Sequence, residues 1–483
     1  MMVQVGMVRV GALVLLLSAG ALHAQASGEV ISKQYDDGSV YEGTFVDGKQ
    51  DGTGTYTLPN GYSYSGDWVA GEIRGTGTAR YPNGSIYEGQ FVKGKPEGRG
   101  KITFADGGSY DGDWTDGQMT GSGTATYANG TVYTGAFLNG NHHGQGVITD
   151  STGYRYEGAW VNGLKEGAGK ITYADGAIYD GGFVAGQRAG KGTLTMPDGL
   201  TYVGDWAKGQ INGTGKLTQP NGDVYEGAFA EGLRQGEGRV TFANGDVYAG
   251  GFQADKRQGK GSFTAKDGTT YSGDWVGGRM EGTGKLTYAD GSVYEGGFKA
   301  DLPEGQGKIT YPDGSSYEGG WKAGAMTGSG TATYANGNSY EGALLDGKPE
   351  GKGAMTYADG FRYDGGWKAG VRQGQAVASW ADGTTYTGTY AGGVRDGKGD
   401  LVQPDGFKYS GDWKAGQIEG IGIATYPGGD VYEGAFVAGR REGQGVLRYS
   451  NGKEAAGIWL KGILTAPAEP APAAEAPAAD AGN

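Results

Sequence analysis

The sequence predicts an all-β protein: an elongated single-layer antiparallel meander, or solenoid, of 18 consecutive 23-residue β-hairpin repeats. Three observations carry that expectation. A 23-residue pattern recurs from Tyr41 to Glu454 without insertion or deletion, and a fixed period between about 20 and 50 residues marks a repeat architecture. Within the pattern, aromatic residues and glycines fall on alternate positions, the period of a strand with one buried face. Nearly every copy also carries an Asn-Gly or Asp-Gly pair, the strongest short hairpin signal.

Taking Tyr41, Tyr64, Tyr87 and their successors as position 1, each element follows from its residues. Tyr64, Gly66 and Trp68 occupy positions 1, 3 and 5, and predict a first strand with its rings on one face. Gly98, Gly100, Ile102 and Phe104, at positions 12, 14, 16 and 18, predict a second strand with a matching apolar side. Asn-Gly or Asp-Gly at positions 20 and 21 predicts one turn, because both residues tolerate positive φ. The glycines at positions 8 and 12 are expected to bracket the other turn. Glycine at position 3 is poor in a strand by propensity. Here it leaves room for the flanking rings to lie across the backbone.

The rest of the chain reads in order. Residues 1–26 form a tripartite leader: Arg9, a short apolar core from Val10 to Leu22, and the Ala24-Gln25-Ala26 cleavage site. This signal peptide predicts export, and a periplasmic or secreted protein of a bacterium. Residues 27–34 are a polar lead-in. The array spans 35–464: a partial unit from Tyr35, the 18 full copies over 41–454, and a terminal partial unit. Residues 465–483 are rich in Pro and Ala and contain no ring, so they are expected to be disordered. The array is also duplicated: MTGSGTATYANG occurs at Met119–Gly130 and again at Met326–Gly337, nine repeats later.

The unit resembles the MORN repeat, the membrane occupation and recognition nexus motif, whose pattern is close to YEGxWxxGxxxGxGxxxxxxG. The stretch YEGAWVNGLKEGAGKITYADG at Tyr156–Gly176 matches it nearly throughout, and the resemblance extends over residues 35–459. Departures are local: Leu344 and Tyr390 at position 5, Asp255 and Asp301 at position 8, and Asp150, Gln219, Ala265 and Gln403 at position 18. The resemblance implies curved antiparallel sheets with an aromatic-lined groove, and a role in scaffolding, partner binding or lipid association. Such arrays also accompany catalytic domains, notably plant phosphatidylinositol phosphate kinases, so a kinase role would rest on association alone.

Composition narrows the function. The chain has no Cys, which excludes disulfides and thiolate-bound metals. Its net charge of −13 opposes nucleic acid as a partner. A kinase needs a nucleotide site on a separate fold, and only the lead-in and tail lie outside the repeats. No enzyme, metal or cofactor is therefore expected. His142 and His143, at positions 10 and 11, are read as solvated turn residues. Bases at positions 9 and 10, such as Lys165 and Arg234, with acids at position 11, such as Glu166 and Glu350, read as a mixed-charge rim.

The leading expectation is a non-enzymatic extracytoplasmic scaffold that binds a protein partner or itself. The alternative is capture of lipid headgroups or envelope polysaccharide through the aromatic face. The rings that would line such a groove are Tyr64, Trp68, Tyr110, Trp114, Tyr156, Trp160, Tyr202, Trp206, Tyr271, Trp275, Tyr317, Trp321, Tyr363, Trp367, Tyr409 and Trp413. Tyr and Trp suit that role, being amphipathic and enriched at binding hot spots. The competing reading is that they are simply the core of a thin sheet.

Overall fold

The computed structural model of the chain describes residues 29–467. The leader and residues 468–483 of the tail lie outside that range. The described residues hold 39 strands and no helix. They divide into two units: the described residues up to Ala243 with Phe252–Asp255, and Asn244–Gly251 with those from Lys256 on. Within each unit the strands follow sequence order in one open antiparallel sheet, each pairing with the strand before and the strand after.

Each copy contributes a seven-residue strand over positions 23 to 6 and a nine-residue strand over positions 9 to 17. Ser63–Val69 and Glu72–Arg80 are one such pair. The turn between them is only two residues long. Ala70 and Gly71 both have positive φ, 50° and 92°, which makes the turn the type I′ form that matches strand twist. The Asn-Gly pair expected to supply that geometry does something else. In the loop at positions 18 to 22, Gly84 alone among these residues has positive φ, at 85°. Tyr81 N–H donates to the Ser85 carbonyl at 2.8 Å, and Gly84 N–H to the Tyr81 carbonyl at 2.9 Å. The Asn83 side chain accepts from Ser85 N–H at 3.0 Å, the local bond that makes Asn and Asp good turn residues.

Position 12 is likewise not a turn. It lies inside the second strand, at a bulge. Gly66 pairs with Gly77, but Trp68 pairs with Ile73, so the second strand carries two extra residues between those pairs. Gly75 sits there at φ 111°, and Asp67 on the facing strand accepts from Thr76 N–H at 2.7 Å. A bulge bends its strand and re-aims the side chains beside it.

The core is one layer of rings on one face. Each position 1 tyrosine but Tyr363, where Ala376 replaces the second glycine, lies flat over two glycines that face one another across the hairpin. A Cβ on Gly66 or on Gly77 would come within 2.5 Å of atoms of the Tyr64 phenol. The tyrosine Oη donates to the carbonyl of position 4, as in Tyr64 to Asp67 at 3.0 Å. Its ring meets its own position 5 ring and that of the next copy edge-on. Tyr87 stands 5.0 Å from both Phe91 and Trp114. Each such pair adds about 0.5–1.5 kcal/mol beyond area burial. Trp Nε1 groups donate to the position 14 carbonyl of the previous copy, as in Trp114 to Gly100 at 3.0 Å.

Pairing runs one strand further than the repeats at both ends. Ile31–Gln34, in the lead-in, pairs with Val40–Val46. Ile463–Pro467 pairs with Glu454–Leu460 and takes in Thr465, Ala466 and Pro467, three residues that composition alone groups with the tail. The Thr465 hydroxyl donates to the Ile458 carbonyl at 3.0 Å. Backbone pairing needs no ring, so composition does not mark this strand.

Candidate partner-docking surface

The sixteen rings expected to line a groove are all buried, none more than 7% exposed. Tyr64, Tyr110, Tyr156, Tyr202, Tyr271, Tyr317 and Tyr409 lie over their glycine pairs, Tyr363 belongs to the hairpin in which Gly365 faces Ala376, and Trp68, Trp114, Trp160, Trp206, Trp275, Trp321, Trp367 and Trp413 stand edge-on between them. Burial pushes the Tyr156 and Tyr202 phenols up to about 12. Faces this covered do not stack on a ligand. They are the packing layer, as the competing reading has it.

What covers them is position 10. Because of the bulge, this residue pairs with position 5 and projects over the rings. The Arg188, Arg257 and Arg395 guanidinium carbons lie 4.2, 4.1 and 4.1 Å from the ring centroids of Trp206, Trp275 and Trp413. Such contacts are worth about 0.5–2 kcal/mol. Elsewhere Ile73, Pro96, Met119 or Met326 fills the place. His142 does so too, in the strand Asn141–Thr149 and not in a turn. It stacks on Tyr133 at 3.6 Å and 10°, and shares a 2.7 Å hydrogen bond with Tyr127 Oη. Burial pushes its pKa down to about 4. Its neighbour His143 has a buried Nδ1 without a hydrogen-bond partner. No group of His, Cys, Asp and Glu among the described residues could hold a metal ion.

The acids at position 11 do not pair with these bases as a rim. They cap the next turn: Glu166, Glu350 and Glu442 accept from the backbone N–H of Ala185, Ala369 and Lys461 at 2.7–2.8 Å. Arg395 and Arg441 donate to the carbonyls of Gly416 and Gly462 at 3.0 and 2.9 Å. Arg372 lies 5.7, 5.7 and 5.5 Å from the Phe361, Tyr363 and Tyr390 rings. None of these three arginines forms an ion pair with a described residue, unlike Arg234, which meets Asp255 at 3.1 Å. The opposite face is charge-balanced. Lys260 meets Asp274 at 2.6 Å and Lys285 meets Glu295 at 2.7 Å, exposed pairs worth at most about 1 kcal/mol.

A second set of rings is partly open to solvent. Positions 18 and 22 are the first and last residues of the longer loop. In the second unit Tyr357 and Phe361 stand 5.3 Å apart, Phe361 and Trp380 5.0 Å, and Phe407 and Tyr426 5.7 Å, all tilted and half-exposed. Tyr334 and Tyr449 are 37% and 39% exposed. In the first unit Tyr62–Tyr81 and Tyr154–Tyr173 repeat the pairing. Nine of the ten tryptophans occupy position 5, and Trp380 alone occupies position 18. Sequence parity counts position 18 with the buried side. The available signal was its place at the start of the loop, where ladder neighbours end.

Comparison with known proteins places these features. The model of the MORN repeat matches 18 successive segments from 41–61 to 432–454. No curated protein matches. Among solved structures, the chain is similar to the TCP domain of SAS-4 (dCPAP) of Drosophila melanogaster, in complex with a proline-rich motif of Ana2. The identity is 14% over 44% of this chain and 99% of that one, with a TM-score of 0.20. It is also similar to the wild-type TCP10 domain of Danio rerio CPAP, at 16% identity over 54% and 96% of the two chains, with a TM-score of 0.15. At such scores the likeness carries no argument about this chain.

Proposed function

The chain belongs to the MORN repeat family, and from that premise we infer that it is a non-enzymatic extracytoplasmic scaffold whose partners are proteins. The family is one of repeat-based protein-interaction scaffolds, and MORN repeats are the one family matched. One observation carries the finer reading: the half-exposed rings at positions 18 and 22, beside arginines that lack carboxylate partners. Aromatic rings and guanidinium groups are the side chains most enriched at protein-binding hot spots. The rings stand in loops closed by backbone hydrogen bonds, such as Tyr357 N–H to the Phe361 carbonyl at 2.8 Å, so a docking partner meets an ordered surface. Export rests on the leader sequence.

A second reading is favoured by the same rings, since an aromatic face beside a cation also suits a sugar or a lipid headgroup. The two are separated by placing a photo-crosslinking residue at Tyr426, in the row, and at Lys260, on the opposite face, in the producing cell. Discrete protein adducts from Tyr426 alone support the scaffold. Saturable binding of purified protein to polysaccharide or vesicles, lost in Trp380→Ala and Tyr426→Ala, with no protein adduct, would replace it. Nothing in either reading joins the chain to a lipid kinase beyond the association noted above.

A further inference from the structure

We propose that the aromatic row of the second unit is occupied by the chain's own segment 468–483, so that the scaffold carries its own competitor for partners. The inference rests on reading that row as a docking surface. Three features lead to it.

The first is chemistry. The segment AEPAPAAEAPAADAGN has Pro470, Pro472 and Pro477, and its charges are Glu469, Glu475 and Asp480, with no base. Proline-rich segments enter extended polyproline II form at little entropic cost and dock on aromatic-lined grooves. The row offers Tyr357, Phe361, Trp380, Phe407 and Tyr426. The second is charge. Arg372 and Arg441 lie 5.7 and 5.8 Å from the row rings Phe361 and Tyr426, and Arg395 stands on a strand between them, over Trp413; none of the three has a carboxylate partner among the described residues, in a chain that is otherwise acidic.

The third is reach and spacing. The segment starts after Pro467, in the strand Ile463–Pro467. Eight strand steps separate that strand from Val371–Ser379, which leads into Trp380. At about 4.8 Å per step this is roughly 38 Å. Sixteen residues in polyproline II form extend about 50 Å. Glu469 and Glu475 are then about 19 Å apart. Arg441 and Arg395 are four strand steps apart, also about 19 Å. Asp480 falls about 34 Å from Glu469, and Arg372 about 29 Å from Arg441. The order of the three acids along the segment matches the order of the three arginines met on running back along the sheet.

The test uses the full chain with p-benzoylphenylalanine in place of Ala474, irradiated when dilute, with the adduct sites mapped by mass spectrometry. The expected result is adducts within single chains, at Tyr357–Trp380 or at Phe407–Tyr426. Their yield should fall about tenfold in the background E469Q/E475Q/D480N, which removes three exposed charge pairs and leaves every array residue in place. Adducts confined to covalent dimers, spread elsewhere on the array, or unchanged in yield by the charge substitutions would overturn the proposal. Partner adducts at Tyr426 without any from the segment would overturn it too, while leaving the docking reading in place.

Discussion

Replacing Trp206 with Ala isolates what one ring contributes to a one-layer core. The side chain is 4% exposed. It lies edge-on to Tyr179 at 5.1 Å and Tyr202 at 5.5 Å, under the Arg188 guanidinium at 4.2 Å, and donates to the Gly192 carbonyl at 3.2 Å. Truncating a buried aromatic costs about 3–5 kcal/mol, a range that already includes the lost packing. A local loss of about 4 kcal/mol speeds amide exchange roughly a thousandfold. In a repeat protein that loss stays close to the substitution, because each unit contacts only its neighbours. Hydrogen exchange should therefore rise by about three decades in the strands Gln187–Thr195, Thr201–Ala207 and Gln210–Thr218, while Val40–Val46 and Lys49–Thr57 exchange as before. Trp206→Phe is the control. Phe already fills position 5 in neighbouring copies, at Phe183 and Phe229, so it should cost less than about 1.5 kcal/mol. Uniform loss of protection across the first unit would refute nearest-neighbour stability. A loss under about 1 kcal/mol would refute the reading of this ring as core.

Three further outcomes are expected. Alkali should unfold the array: the phenols of Tyr156, Tyr202 and Tyr363 ionise near 12 in the fold but near 10 when unfolded, so their stabilisation holds below pH 10 and is lost as pH rises from 10 towards 12. Tyrosinate absorbance at 295 nm should thus appear together with loss of the β circular-dichroism signal; ionisation at pH 10 with the sheet intact would contradict this. Acid should loosen one place. His142 is neutral in the fold down to about pH 4 against 6.5 when unfolded, so its contribution is complete above pH 6.5 and is lost as pH falls from 6.5 to 4. Exchange in Asn141–Thr149 should rise over that window in the native chain and stay flat in His142→Met, which puts a side chain used elsewhere at position 10 over the same rings. Finally, Ala185 holds φ 48°, where Asn is tolerated better than Ala, and Asn139 and Asn162 occupy the same place in other copies. Ala185→Asn should raise stability by about 0.5–1 kcal/mol, read from denaturant midpoints; a fall would show that the αL strain is not relieved there.

The hairpin repeat was legible because its determinants are local and periodic. Tyr64, Gly66 and Trp68 alternate as a strand must, and the glycine at position 3 does give a ring its place over the backbone. The turns were legible as turns but exchanged in kind. Ala-Gly at 70 and 71 forms the type I′ turn despite the Cβ of Ala70, because a two-residue connection between twisted strands requires positive φ at both places. Asn83-Gly84 sits in the longer loop, where the Asn side chain closes a local bond. The covering of the rings was not legible. It depends on the two-residue bulge that sets Ile73 opposite Trp68, and residues as different as Arg188, Met119 and His142 perform the same cover. With unlike residues in one role, position 10 shows no hydrophobic pattern. The acids beside them read only as part of a mixed-charge rim, because a sequence does not show that they reach the next turn's N–H.

The tyrosine over its two glycines also acts as a gauge. Sliding the second strand so that position 16 takes the place of position 14 would bring a Cβ, such as that of Ala79, under the phenol, so misregistration in that direction is resisted wherever position 14 is glycine. The same gauge is blind to copy number. Almost any first strand fits any second strand, since the glycine pair and the ring above it recur every 23 residues, with Ala376 the exception. A refolding chain can therefore skip a whole hairpin, or borrow one from another molecule, without violating a single local contact, and mismatch of Trp against Phe at position 5 is a weak penalty against it. Errors of assembly should come in whole multiples of one repeat, and synthesis from one end, which presents hairpins in order, protects against them.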